Sequence, residues 1–364
     1  MISCFCCRKP SAPVGRRGFI TGATALAAAC AATPLRAATS LPTAGLAAKT
    51  PSSSHPYRID VHHHIVPPAW LAALKAANLD TPPVRNWTPQ QSLDDMDRGG
   101  VATAITSATS PQVSFLPRDA AVRVAHESND YAKQLTIDHP GRFGMFAMLP
   151  LPHIDASLAA IGYALDTLKA NGIGMMTSYG DKWLGDPAFA PVFDELNRRN
   201  ATVYTHPTTA NCCGNLVPGL QDFVIEWGTD TTRTIANLIF SGASQRYPHI
   251  NFIFSHGGGV LTALAERFQI QMLEMPPYKG KISRATVDHE LRRFYYDTAQ
   301  IANAVTIGAL ANLVPTSQIV FGTDYPYRTA AEHVAGLAKA FHGPTLRAIE
   351  RDNALRILPA LTPA

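Results

Sequence analysis

Three histidines stand side by side in the short, β-branched segment Ile59–Ile65. In a β-strand, residues two positions apart point to the same face, so His62 and His64 converge while His63 points the other way. Imidazole nitrogens held this close together are good ligands for a divalent metal ion. The pair alone is a weak signal, and it predicts a metal site only if further ligands lie at the ends of other strands.

Three more side chains meet that condition. His206, His256 and Asp324 each stand at the end of a short run of apolar residues. A lone histidine is usually a core or surface residue, but five such side chains at matching strand ends indicate one constellation. Imidazoles together with a carboxylate form a borderline-hard donor set that suits zinc or a similar divalent ion.

The segments that position these residues alternate between apolar runs and amphipathic stretches. Near-continuous apolar strands separated by helices indicate a parallel sheet covered on both faces. Eight such strands favour a (β/α)8 TIM barrel of the α/β class, in which strand ends build one active site, over an open sheet. The predicted strands are Ile59–Ile65, Val101–Ala108, Phe143–Leu149, Gly172–Ser178, Ala201–His206, Asn251–His256, Phe294–Ala299 and Ile319–Asp324.

The helical pattern fills the gaps between these strands, as a barrel requires. The last predicted helix, Ala330–Leu358, closes the chain. The others are Asp119–His139, Ala156–Ala170, Ala188–Arg199, Thr232–Gln245, Val260–Met275 and Asn303–Leu313.

The charge balance argues against a nucleic-acid partner. The 364 residues carry 31 basic and 27 acidic side chains, but five of the basic ones lie in residues 1–37. Without those five, 26 basic residues face 27 acidic ones, and no basic stripe remains to bind DNA or RNA.

The first 37 residues are predicted to be a twin-arginine signal peptide rather than part of the fold. Arg16 and Arg17 precede the alanine-rich stretch Thr21–Ala32, which is too short and too weakly apolar to span a membrane. Lipoprotein processing at Cys30 is a less favoured alternative, and a disordered basic tail is another. We expect residues 38–56 to be a linker, residues 57–364 to form one barrel domain, and the protein to be periplasmic.

Several of these motifs resemble the amidohydrolase superfamily, in the branch typified by aminocarboxymuconate-semialdehyde decarboxylase. They are Asp60-x-His62-x-His64, His206-Pro207, His256-Gly-Gly-Gly and Gly322-Thr-Asp324-Tyr-Pro. The resemblance covers about Arg58 to Leu358. A second group of segments is most similar to 6-methylsalicylate decarboxylases: Arg142-Phe-Gly, Tyr179-Gly-Asp, Leu184-Gly-Asp-Pro and Thr231-Thr-Arg-Thr.

The resemblance implies roles for six residues of the chain. The ligands of one divalent ion, zinc with manganese as the alternative, would be His62, His64, His206 and Asp324. His256 would be the general acid and base. Arg267 would meet a substrate carboxylate, in some members across a dimer interface, so a homodimer is implied; its alternative is a solvated charge on a helix. A second substrate-binding arginine has no secure counterpart, because Arg85 lies at the wrong distance.

A single ion is expected because one ligand of the binuclear members is missing. Those enzymes need a carboxylated lysine at the end of strand four, and here Lys169 precedes that strand while Lys182 comes only in the following loop. Mononuclear members include hydrolases, so the absence does not by itself decide the reaction.

The function favoured by the resemblance is non-oxidative decarboxylation of a small aromatic or unsaturated acid, most readily a hydroxybenzoate such as 6-methylsalicylate. The ion would fix the substrate, and either Asp324 or His256 would protonate the ring carbon before CO2 leaves. A mononuclear hydrolase of a lactone or amide is the alternative, and a non-catalytic binding protein is the third class.

Four further residues are candidates for supporting roles. Asp297 either holds an imidazole ligand in place or caps a helix. Tyr179 and Trp183 either line an aromatic pocket or pack in a loop. Asp60 is expected to orient the first strand rather than to react.

Overall fold

Residues 56–361 are described by the computed structural model, and they form a parallel barrel of eight strands. The strands are β1 Arg58–His64, β2 Val101–Ser107, β3 Phe143–Met148, β4 Gly172–Met176, β5 Thr202–His206, β6 Asn251–Phe254, β7 Tyr295–Asp297 and β8 Ile319–Val320. Each strand pairs in parallel with the next one along the chain. All eight predicted strands are therefore confirmed, and so is the fold class.

The barrel closes through backbone hydrogen bonds between β1 and the segment that continues β8. The amide of Val61 donates to the carbonyl of Phe321 at 2.9 Å, and the amide of Asp324 donates to the carbonyl of His62 at 2.8 Å. A third bond runs from the amide of His64 to the carbonyl of Tyr325, also at 2.8 Å. These contacts bring the first and last candidate ligands of the chain side by side.

A β-bulge in β1 modifies the simple alternation expected for this strand. Between the paired positions Asp60–Ala104 and His63–Thr106, β1 has two residues where β2 has one. The extra residue changes which side chains point into the barrel. Ile59 and Val61 pack in the apolar cluster formed by residues of β2, β3, β5, β6 and β8, and after Val61 the side chains of His62 and His64 point into the site. Bulges of this kind re-aim side chains beside active sites.

Helices cover the outside of the barrel, and most of them coincide with the predicted ones. The helices are Pro68–Ala76, Pro82–Arg85, Pro89–Gly99, Arg118–Asp138, Ile154–Gly162, Ala190–Arg198, Glu226–Phe240, Ala243–Arg246, Leu261–Glu266, Met272–Glu274, Arg284–Arg293, Ala304–Leu313, Ala330–Leu337, Gly343–Arg347 and Asn353–Ile357. Tyr163–Thr167, Arg267–Gln271 and Ala348–Asp352 form π-helical turns.

Two predicted helix bounds were wrong. The helix expected to begin at Thr232 begins at Glu226, and its first half includes Asp230, which accepts hydrogen bonds from Trp183 and two hydroxyls of the loop after β4. The helix expected over Ala330–Leu358 is interrupted after Leu337, and the next one begins at Gly343, whose φ of +56° is left-handed.

No helix within residues 56–361 is both long enough and apolar enough to cross a bilayer. The predicted signal peptide, the lipoprotein alternative at Cys30 and nearly all of the predicted linker lie outside the described residues.

Candidate metal centre

Four side chains from three strands meet at the C-terminal end of the barrel. His62 and His64 come from β1, His206 ends β5, and Asp324 follows β8. One donor atom of each lies within 4.8 Å of the donor atoms of the other three, and all four residues are buried. The structure thus brings together the predicted ligand set.

Three donor atoms of this cluster lie close enough together to bind one ion. Oδ1 of Asp324 lies 3.2 Å from Nε2 of His62 and 3.1 Å from Nε2 of His64, and the two Nε2 atoms are 3.1 Å apart. Nitrogen lone pairs and a carboxylate oxygen that face one point at this spacing match a small divalent cation. The residues present fit one metal ion.

Hydrogen bonds behind the ligands determine which nitrogen of each ring faces the site. Nδ1 of His206 donates to the carbonyl of Pro207 at 2.8 Å, and Nδ1 of His64 lies 3.3 Å from the carbonyl of Ser107. Nδ1 of His62 donates to Oδ2 of Asp297 at 2.8 Å. Each contact uses Nδ1, so Nε2 is the nitrogen that faces the other donors, which is the usual arrangement behind metal-bound histidines.

The predicted role of Asp297 as the support of an imidazole is therefore confirmed. Its other oxygen, Oδ1, accepts the backbone N–H groups of His256 and Ala299 at 2.8 and 3.0 Å. The alternative role as a helix cap is wrong, because the helix that follows begins at Ala304 and is capped by Asn303.

Burial and neighbouring carboxylates shift the pKa values of the histidine ligands in different directions. Burial lowers the pKa of His64 and holds the pKa of His206 well below its ordinary value, so both rings are neutral and ready to bind a cation. Burial would also lower the pKa of His62, but Asp297 and Asp324 outweigh it and raise that pKa to about 10. Burial opposes ionisation of Asp324, yet His62 and His64 hold the pKa of this carboxyl well below its ordinary value.

His63 points away from the cluster, as predicted. Its Nδ1 lies 3.1 Å from Oδ2 of Asp60, its Nε2 lies 2.9 Å from Oγ of Ser92, and its ring stacks on Tyr325. Asp60 also accepts the backbone N–H groups of His62 and Thr323. Asp60 therefore fixes the position of β1 against the end of β8, which confirms its predicted orienting role.

His256 lies beside the four ligands. Its ring centre is 5.0 Å from that of His62 and 6.4 Å from that of His206. Its backbone is left-handed, with a φ of +53°, and Nδ1 donates to the carbonyl of Ala299 at 3.2 Å. Nε2 has no hydrogen-bond partner within residues 56–361, and burial lowers the pKa of the ring. His256 consequently presents an unoccupied basic nitrogen next to the candidate metal.

The glycines after His256 allow the backbone to approach a helix closely. At Gly259, where φ is +71°, a β-carbon would lie only 1.9 Å from the carbonyl oxygen of Gly228. Only glycine fits there.

Three other candidate residues are not members of the ligand cluster. Arg267 is exposed in a π-helical turn, and its side chain makes no hydrogen bond or ion pair with residues 56–361. The hydroxyl of Tyr179 accepts the backbone N–H of Met176, and Trp183 donates to Asp230 at 2.6 Å. Tyr179 is buried against Phe189 and Trp183 is held by Asp230, so both aromatic side chains take part in the packing of this loop.

Three residues beside the site have no strong sequence signal. The rings of Trp227 and Tyr327 lie edge-on to His206 and His64, with centres 5.7 and 6.1 Å apart. The side-chain amide of Gln300 donates to Oδ2 of Asp324. The only hint for Tyr327 is its place three residues after Asp324, in the loop that follows β8.

Comparison with known proteins agrees with this geometry. The amidohydrolase family model matches residues 59–360. The decarboxylase yanB of Aspergillus niger is 36% identical over 83% of this chain and 87% of its own length. The 6-methylsalicylic acid decarboxylase acuB of Aspergillus aculeatus is 35% identical over 84% of this chain and 96% of its own. A crystal structure described as amidohydrolase II is 27% identical, has a TM-score of 0.76, and aligns with 83% of this chain and 99% of its own. Since the family match extends over the whole barrel and includes every candidate ligand, this chain belongs to the amidohydrolase family.

Proposed function

We propose that this protein is a metal-dependent, non-oxidative decarboxylase of a hydroxybenzoate, with 6-methylsalicylate as the leading substrate. The observation that carries the proposal is the 35% identity, over 84% of the chain, to a protein named 6-methylsalicylic acid decarboxylase. The buried set of three imidazoles and one carboxylate adds the metal site that such chemistry would use.

Zinc is the ion that we propose, with manganese as the alternative. The residues that would hold it are His62, His64, His206 and Asp324. Three neutral nitrogen ligands favour a borderline ion such as zinc, whereas manganese prefers a larger share of oxygen ligands. When bound, the ion would supply a Lewis acid that orients the ortho-hydroxyl and carboxylate oxygens of the substrate.

His256 is the proposed proton carrier. Both oxygens of Asp324 are already engaged, Oδ1 with His62 and His64 and Oδ2 with Gln300, whereas Nε2 of His256 is unoccupied by residues 56–361. The lowered pKa of His256 makes its protonated form a strong donor.

The reaction then needs one proton transfer and one bond cleavage. His256 delivers a proton to the ring carbon that bears the carboxylate. The bond between that carbon and the carboxylate breaks, its electron pair restores the aromatic ring, and CO2 leaves. The products from 6-methylsalicylate are 3-methylphenol and CO2.

The two aromatic side chains beside the ligands support a planar substrate. Trp227 flanks His206, and Tyr327, which is 37% exposed, flanks His64. Rings at these two positions offer apolar faces and edges to an aromatic acid that lies over the site.

The test is a CO2-release assay on the zinc- or manganese-loaded protein with 6-methylsalicylate, in parallel with a panel of lactones and amides. We expect CO2 and 3-methylphenol in equal amounts, and one deuterium at the former carboxylate position when the assay runs in D2O. The positional isomer 4-hydroxy-2-methylbenzoate is the matched control, because it keeps the methyl group but lacks the ortho-hydroxyl group and should not react.

The variant His256→Ala should retain its metal and lose turnover by at least about a hundredfold. Ring opening of a lactone without CO2 release would instead identify a hydrolase. Absence of turnover in the metal-loaded protein across the whole panel would favour a binding protein.

A homodimer in which Arg267 meets the substrate of the partner subunit is also proposed. The exposure of Arg267, with the exposed apolar side chains of Ile270 and Met275 nearby in sequence, supports an interface along this helix. Light scattering should give twice the chain mass, and Arg267→Ala should raise KM more than it lowers kcat. A monomeric protein would contradict the homodimer, and an unchanged KM in Arg267→Ala would contradict the substrate contact.

Export by the twin-arginine pathway is proposed for residues 1–37. The support is the arginine pair Arg16 and Arg17 ahead of an apolar stretch. Replacement of both arginines by lysine should keep the full-length chain in the cytoplasm, as judged by cell fractionation. Continued export of the double variant would contradict this localisation.

A further inference from the structure

The loop that follows β7 contacts both groups with candidate roles in proton transfer. The carbonyl of Ala299 accepts from Nδ1 of His256 at 3.2 Å, and the side-chain amide of the next residue, Gln300, donates to Oδ2 of Asp324. Two consecutive residues therefore set the orientation of an imidazole and of a carboxylate that belong to different strands.

The start of this loop is tied to the barrel. The hydroxyl of Thr298 donates to the carbonyl of Gly322 at 3.0 Å and accepts the Gly322 amide at 3.0 Å. Asp297, immediately before it, accepts the Ala299 amide. The loop thus leaves β7 from a fixed position, and its conformation at Gln300 determines where the amide side chain points.

That conformation is an unusual one. Gln300 has a φ of +58°, a left-handed value that residues other than glycine rarely adopt. A backbone of this kind persists when surrounding contacts hold it.

The holding contact comes from a buried histidine outside the ligand set. The backbone N–H of Gln300 donates to Nε2 of His333 at 2.9 Å. A backbone N–H can only donate, so Nε2 is the acceptor and Nδ1 carries the hydrogen. Nδ1 in turn donates at 2.9 Å to the carbonyl of Thr329, the N-cap residue of the helix Ala330–Leu337. His333 is only 2% exposed.

We infer that His333 is a positioning residue, which holds Gln300 so that the Gln300 amide directs the second oxygen of Asp324 and leaves the first one for the metal. The chain of contacts runs from the Thr329 carbonyl through the His333 ring to Gln300 and then to Asp324. The part of this inference that concerns turnover rests on the proposed decarboxylation, whereas the part that concerns metal binding does not.

The experiment compares four variants of the full-length chain. His333→Leu removes the acceptor, and His333→Gln restores one at nearly the same place. Gln300→Leu removes the amide that contacts Asp324 on an exposed residue, so its folding is not at risk. Val334→Ala, a buried neighbour of His333 on the same helix, is the matched control for lost packing alone.

The first readout is the dissociation constant for zinc, measured by competition with a chromophoric chelator. Supports of this kind typically change metal affinity 10- to 100-fold, so we expect about tenfold weaker binding in His333→Leu and Gln300→Leu. His333→Gln should stay within about threefold of the original protein, and Val334→Ala should bind zinc normally although it unfolds at a lower temperature. The double variant His333→Leu/Gln300→Leu should bind no more weakly than either single one, because both act through one contact.

The second readout is kcat and KM for 6-methylsalicylate at saturating zinc. We expect His333→Leu to lower kcat about tenfold with little change in KM, and His333→Gln to recover most of the loss. Unchanged zinc affinity and kcat in His333→Leu, or strictly additive losses in the double variant, would overturn the inference. If the original chain releases no CO2, the proposed reaction fails while the zinc titrations still decide whether His333 acts as inferred.

Discussion

Nδ1 of His62 on the first strand donates a hydrogen bond to Oδ2 of Asp297 on the seventh strand, at 2.8 Å, and neither side chain is accessible to solvent. The ring is thereby held with Nε2 toward the other three donors. The opposite oxygen of Asp297 accepts the backbone N–H of His256. One carboxylate therefore orients a metal ligand and the proposed proton carrier together.

Asp297→Asn should weaken the hold on both the His62 ring and the backbone of His256. Loss of the charged acceptor behind His62 should lower zinc affinity roughly 10- to 100-fold, as measured by competition titration. Glu350→Gln is the matched control, because Glu350 is equally buried but contacts Arg58 at the start of β1. Equal zinc affinities in the two variants would contradict the role given to Asp297.

His206→Ala should abolish stoichiometric zinc, to below roughly 0.1 ion per chain after dialysis, because one of four ligands is lost. His63→Ala should keep close to one ion, since His63 contacts Asp60 and Ser92 instead. Elemental analysis of both dialysed proteins measures the difference. Equal loss of zinc from both variants would contradict the assignment of His63 to the face of β1 that points away from the metal.

Metal affinity should rise with pH. In the ion-free chain the pKa of His62 is raised to about 10, so this ring is protonated at neutral pH, whereas a metal ligand must be unprotonated. Binding therefore releases a proton, and zinc affinity should increase about tenfold per pH unit between pH 7 and 9. Proton release on zinc addition, followed with an indicator in weak buffer, checks the sign; affinity that does not change with pH contradicts it.

Glu350→Gln should lower the free energy of unfolding by about 2–3 kcal/mol, because it leaves the mostly buried guanidinium of Arg58 without its charged partner. Glu127→Gln breaks an exposed pair with Arg123 and should cost less than about 0.5 kcal/mol. Urea unfolding of both variants provides the comparison. A similar cost for the two pairs would show that burial of Glu350 is not decisive.

Removal of the ion should destabilise the protein. An ion present at 100 times its dissociation constant stabilises a folded chain by about 2.7 kcal/mol, which corresponds to a melting temperature several degrees higher. Calorimetry before and after chelation, followed by zinc addition, should show a reversible shift. His206→Ala should melt at the same temperature with and without the chelator, and a shift in that variant would point to a different binding site.

The strands and the metal ligands could be predicted because both follow from simple patterns. Apolar runs mark parallel strands, and the C-terminal ends of such strands meet at one end of a barrel. His206 and Asp324 could therefore be placed beside His62 although they lie far away in the sequence. The β-bulge after Asp60 could not be predicted, because it depends on the pairing with β2.

The supporting residues were harder to find for a physical reason. Gln300 and His333 belong to no motif, and their contact arises only when the loop after β7 packs against a late helix. The helix Pro89–Gly99 was missed although Thr88 and Gln91 form a capping box at its start, a signal that was available. The helix Arg284–Arg293 is too polar for its periodicity to be recognised.

The hydrogen bonds that close the barrel involve the same residues that carry the ligands. Val61 and His62 bond to the segment Phe321–Asp324, and β8 itself contributes only Ile319 and Val320 to the sheet. An ion bound by both His62 and Asp324 would therefore link the first strand of the barrel to the segment that follows the last one. Because this link can form only after the eighth strand has docked against the first, uptake of the ion would report that the ring of strands has closed.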